Sequence, residues 1–68
     1  MSQILYENIK RLADEKKLSI TQVEEKSNIG NGTIGKWKAG HNNATLNSLS
    51  AVANALECSV SDLLKETN

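Results

Sequence analysis

The chain of 68 residues has no proline and no phenylalanine, and only one each of cysteine, histidine, tryptophan and tyrosine. Each scarcity excludes something. A lone Cys58 cannot close an internal disulfide, so a cysteine-stapled scaffold is ruled out and a reducing compartment is expected. A lone His41 has no Cys or His partner at ligand spacing, so no zinc motif is present and no metal is expected. Tyr6 and Trp37 are too few aromatics for a single-strand binder that stacks bases. No apolar run approaches the ~20 residues of a membrane span. The opening Met1-Ser2-Gln3-Ile4-Leu5-Tyr6 lacks a basic segment leading into an apolar stretch. No secretory signal and a cytoplasmic location are therefore expected. Acid is missing from one window: positions 26–56 hold no Asp or Glu, but carry Lys26, Lys36, Lys38, His41 and six asparagines. The net charge of zero argues against indiscriminate binding to nucleic acid. The segregation still leaves one basic, amide-rich stretch that can meet phosphates.

Catalysis has no foothold. Asp14 and Glu15 are neighbours, as are Glu24 and Glu25, so each pair diverges on a helix. Gly30-Asn31-Gly32 lacks the Gly-Lys-Ser/Thr ending of a phosphate loop. A domain this small buries only about 60% of its unfolded surface, which leaves room for a bundle but not for a deep cleft. Neither a cofactor nor a small-molecule substrate is expected.

What is present is helical spacing throughout, so the fold class is all-α. Leu5, Ile9, Leu12 and Ala13 form one stripe and predict a helix over 3–17. Ser19 with Gln22 three residues later is a capping box, which opens a second helix over 20–27. Asn28 suits a left-handed ending. Ile34 and Trp37 share a face, Ile29 precedes them as a staple, and Gly40 is a good terminator, so a third helix is expected over 31–38. Thr45 caps a fourth over 46–56, with Leu46, Leu49, Val52, Ala53 and Leu56 on one face. Ser59-Val60-Ser61-Asp62 is a second capping box and opens a fifth over 60–65. Trp37 is read as core, and Cys58 as a small apolar residue at a helix connection. Leu63 and Leu64 are candidates for a contact patch unless the core takes both.

The segment 19–40 thus holds two short helices around a tight turn, the pattern of a helix-turn-helix. The first helix of that motif crosses the DNA backbone and the second enters the major groove. Asn31, Gly32, Thr33, Gly35 and Lys36 keep one face of the second helix polar and uncluttered. With Ile9-Lys10-Arg11-Leu12, Leu18-Ser19, Val23, Ile29, Thr33-Ile34, Trp37, Gly40, Leu46, Leu49, Val52-Ala53-Asn54-Ala55-Leu56, Ser59 and Leu63-Leu64, the chain resembles the phage Cro/cI repressor-like, or XRE-type, helix-turn-helix family. The resemblance implies one compact five-helix, lambda-repressor-like DNA-binding domain over 1–68.

The resemblance also implies roles. Asn31, Gly32 and Thr33, and Lys36 one turn later, take the base-contacting positions. Asn31 suits adenine and Lys36 suits guanine O6 or N7. Ser19, Ile20 and Thr21, and the stretch from Lys38 and Ala39 through His41, Asn42 and Asn43, take positions that touch phosphates. Several residues depart from the family pattern. Ile20 stands where many members have a phosphate-contacting Gln, and Glu24 where a small Ala packs the two helices. Asn28 and Glu57 replace glycines, Gly30 replaces the Ser or Thr cap of the third helix, and Lys38 replaces an acid. The expected activity is sequence-specific binding of double-stranded DNA in transcription regulation, as a repressor and as a homodimer. One module reads only about four or five base pairs. The rival reading is a protein-interaction module, antitoxin-like or regulatory, on the same fold. A third is the N-terminal part of a longer repressor.

Overall fold

Hydroxyl side chains mark the helix starts, and three of them cap as their spacing predicts. The computed structural model describes residues 2–40 and 44–65. It contains α1 (Ser2–Glu15), α2 (Ile20–Ser27), α3 (Thr33–Ala39), α4 (Leu46–Ala55) and α5 (Val60–Leu64), and no strand among the described residues. The Ser19 hydroxyl accepts from the Gln22 N–H at 3.1 Å, and the Gln22 side chain accepts from the Ser19 N–H at 2.8 Å. Thr45 accepts from the Ser48 N–H at 3.1 Å. Ser59 and Asp62 repeat the reciprocal box, both bonds at 3.1 Å. The Ser59 N–H, donating to Asp62, holds that carboxyl below its ordinary range. Each cap satisfies donors the helix cannot satisfy itself and stabilises it by about 1 kcal/mol.

Three helices end alike. Lys17, Asn28 and Glu57 are left-handed, with φ of 60°, 59° and 58°. The next residue then reaches back five positions: Leu18 N–H to Ala13 O at 2.8 Å, Ile29 N–H to Glu24 O at 3.2 Å, and Cys58 N–H to Ala53 O at 2.9 Å. This closes the last carbonyls and turns Leu18, Ile29 and Cys58 onto the core. The left-handed Lys17 stops α1 at Glu15, two residues before the position the apolar stripe implied. The fourth and fifth helices each stop one residue earlier than expected.

α1 packs against α3 and α5, α2 against α4, and α4 against α5. The core between them is Leu5, Ile9 and Ala13 of α1, Val23 of α2, Ile34 and Trp37 of α3, Leu49, Val52, Ala53 and Leu56, and Leu63 of α5. Cys58 is half-buried against this core. Burial first, then the Asp62 charge, pushes its thiol up, with Lys16 partly offsetting. Leu46 does not join the core: it is 70% exposed on the first turn of α4, beyond the stripe's buried part. Leu63 is buried, while Leu64 is 50% exposed.

One polar side chain is buried for a reason. Asn8 of α1 donates from Nδ2 to the carbonyls of Leu63 and Lys65, both at 2.8 Å, and accepts from Arg11 at 3.1 Å. It thereby satisfies the carbonyl end of α5, a helix too short to hold itself. Asn8→Ala is expected to cost about 1–3 kcal/mol, because buried carbonyls lose their donor. Thermal denaturation checks this: the midpoint is expected to fall by about 4–8 °C per kcal/mol.

Candidate nucleic-acid interface

α2 and α3 are joined by the turn at Asn28, and their relation depends on how α3 begins. The sequence places that start at Asn31; the structure places it at Thr33. The reason is Gly32, whose φ of +90° lies outside the helical region. Gly32 occupies the cap position and has no side chain to cap with. Gly30 supplies only its carbonyl, which accepts from the Thr33 N–H at 3.1 Å. The orphan donors are met from α2 instead. Glu24, only 3% exposed, accepts from the Gly32 N–H at 3.0 Å and from the Ile34 N–H at 2.9 Å. Where the family pattern has a small residue filling space, this chain has a carboxylate spanning the two helices.

Asn31 and Gly32 therefore lie in the turn ahead of α3, both exposed, and Thr33 is its half-buried first residue. Ile34 and Trp37 face inward at 0% and 2% exposure. At about 3.6 residues per turn, Gly35, Lys36 and Ala39 point the opposite way, and all three are exposed. Gly35 and Ala39 share that face with Lys36, as their spacing from it requires. Lys38 lies on the flank toward α1, its Nζ 5.0 Å from the centre of the Tyr6 ring. This cation–π contact holds the ammonium beside α3 without removing its charge. At the start of α2, Ser19 and Thr21 are exposed, but the Ser19 hydroxyl is already engaged in its cap. Ile20 is half-buried against the core, so its apolar side chain has a structural use. His41, Asn42 and Asn43 lie outside the described residues.

Gly35 is unusual among these positions. A Cβ there would meet nothing within 4 Å, so no internal packing requires glycine. It costs the helix about 1 kcal/mol relative to Ala. Gly35→Ala is accordingly expected to raise stability by about that amount. If the bare backbone serves a close approach to a duplex, the same change weakens binding. Chemical denaturation and a titration with duplex read the two effects separately.

Elsewhere, a depression of about 510 Å³ runs along α1 between Tyr6, Glu7, Lys10, Arg11, Asp14 and Glu15. Four of its charges are paired along the helix, Lys10 with Asp14 at 3.1 Å and Arg11 with Glu15 at 3.9 Å. Among the described residues no group of metal-ligating side chains comes together, and no helix is long and apolar enough to cross a membrane.

The pattern of the Cro/C1-type helix-turn-helix DNA-binding domain matches residues 8–66. The chain belongs to that family. The resemblance drawn from the sequence and the all-α, five-helix architecture are both borne out. Solved structures superpose on it closely. A hypothetical transcription factor, NHTF, from Neisseria is 17% identical with a TM-score of 0.85, over 94% of this chain and 74% of that one. The clp gene regulator ClgR from Corynebacterium glutamicum is 22% identical with a TM-score of 0.79, over 93% and 67%. An HTH_3 family transcriptional regulator from Vibrio cholerae is 21% identical with a TM-score of 0.77, over 91% and 35%. At such identities these likenesses establish the fold. Among curated proteins no match to the chain is found.

Proposed function

We propose that this Cro/C1-type domain is a sequence-specific double-stranded DNA-binding regulator that seats α3 in the major groove. The observation that carries the reading is the outer face of α3. It is bare at Gly35 and small at Ala39, carries Lys36, and is led in by exposed Asn31 and Gly32. A seven-residue helix is about 10 Å long and fits a groove about 12 Å wide. Asn31, Gly32, Thr33 and Lys36 meet base edges. Ser19, Thr21, Lys38, His41, Asn42 and Asn43 meet phosphates and set the register. Acid is absent from that face, and the one acid behind it, Glu24, is buried and bonded. The three solved neighbours are described as a transcription factor or as regulators, which supports regulation. Occupying a promoter as a homodimer, in the cytoplasm, gives repression as the outcome.

The test is selection from a random duplex pool by the purified chain at low salt, repeated with Asn31→Ala and Lys36→Ala. One enriched motif, weakened by both changes and lost steeply as salt rises, supports the reading. No enrichment at any salt from a folded chain overturns it and favours a protein-interaction module.

A further inference from the structure

We propose that Glu24 is a positioning residue for DNA readout: from α2, its buried carboxylate replaces the missing cap of α3 and fixes the turn that presents Asn31, Gly32 and Thr33. The proposal rests on the reading of α3 as the DNA-reading helix. Its structural half stands apart from that reading. A buried carboxylate is costly unless hydrogen-bonded. Glu24 is 3% exposed, and its two oxygens accept from Gly32 at 3.0 Å and from Ile34 at 2.9 Å. Bonds from backbone N–H groups to a charged acceptor are about twice as strong as neutral ones, and the charge faces the positive end of α3. The two bonded residues bracket Thr33, and Asn31 directly precedes the first of them. No side chain of the turn does this work: Gly32 caps nothing, and Gly30 has no hydroxyl. The bare Gly32 accepts φ +90°, which turns its N–H toward α2. One side chain therefore ties the helix that meets phosphates to the turn that meets bases.

The arrangement makes an unusual prediction about rescue. A Cβ on Gly30 would lie 3.5 Å from the Thr33 hydroxyl, an ordinary contact, so serine fits there. The Gly30 carbonyl already receives the Thr33 N–H. A serine hydroxyl at that position can cap the same turn locally.

The experiment uses Glu24→Gln, Glu24→Ala and the double variant Glu24→Ala with Gly30→Ser. Glu24→Gln keeps the shape but only one acceptor, so it guards against a chain that fails to fold. Amide hydrogen exchange is measured on each free chain. Affinity is measured for the selected duplex and for an unrelated one. Glu24→Gln is expected to speed exchange at Gly32 or Ile34 by roughly tenfold, and to weaken the selected duplex by a similar factor. Binding to the unrelated duplex, which phosphates dominate, is expected to stay unchanged. Gly30→Ser is expected to restore much of what Glu24→Ala loses. Unchanged exchange at both amides overturns the cap. Faster exchange with unchanged specific affinity overturns the positioning role. Equal losses on both duplexes, with no rescue by serine, reduce Glu24 to packing and overturn the proposal too. If the unaltered chain selects no duplex, the DNA reading fails, and the exchange data still decide the cap.

Discussion

Trp37→Ala is expected to remove about a third or more of the domain's stability, and at the upper end all of it. Trp37 is 2% exposed where α3 packs against α1. Removing a buried tryptophan costs about 3–5 kcal/mol, through lost burial and the cavity left behind. A domain of this length has roughly 3–10 kcal/mol in all. The loss therefore consumes a third of the stability at best and all of it at worst. Far-UV circular dichroism against denaturant reads the result without relying on Trp37 itself, the only tryptophan. A transition moved to much lower denaturant, or lost altogether, is expected. A loss well below about 3 kcal/mol would mean that Trp37 is not core, and its use as a stacking surface would have to be reconsidered.

Lys36→Glu is expected to abolish specific binding while leaving the fold intact. Lys36 is exposed on the outer face of α3 and makes no ion pair among the described residues. Its loss from the last turn costs the helix only about 0.3–1 kcal/mol through the dipole. At the duplex the change removes a donor and sets a carboxylate among phosphates. The donor alone is worth about 1–3 kcal/mol of discrimination, so the fall in affinity is expected to exceed roughly tenfold. Lys36→Ala then sorts the contact. Loss confined to one base position marks a base contact. Uniform weakening, with the salt slope reduced by about one, marks a phosphate contact. Lys38→Ala offers a contrast, since that ammonium rests over Tyr6 on the flank and is proposed to meet phosphate alone.

Local chemistry was readable from the residues, and non-local chemistry was not. Ser19, Thr45 and Ser59 cap within three residues of themselves, so their helices begin where the spacing says. α2 runs over the expected residues because both of its ends are local signals, the Ser19 box and Asn28. α1 is shorter than its apolar stripe implies because Lys17 adopts a left-handed conformation that lysine does not advertise. α3 starts two residues later than its spacing implies because its cap comes from Glu24, eight residues before Gly32, across a turn. Sequence alone shows Glu24 only as an acid in the place of a small residue. Leu46 fits the apolar stripe by spacing, but whether another element covers it is a tertiary fact. For the site, the residue types and their order were legible. The division of α3 into an outer face of Gly35, Lys36 and Ala39 and a flank of Lys38 required the fold.

The most direct test of the account is a map of amide chemical shifts as the labelled chain is titrated with its selected duplex. The largest changes are expected at 31–36 and at 19–22, with the α1 depression around Glu7 and Arg11, and α5, nearly still. A map centred on that depression or on Leu64, with 31–36 unmoved, would contradict the account: the duplex would then not be read by α3.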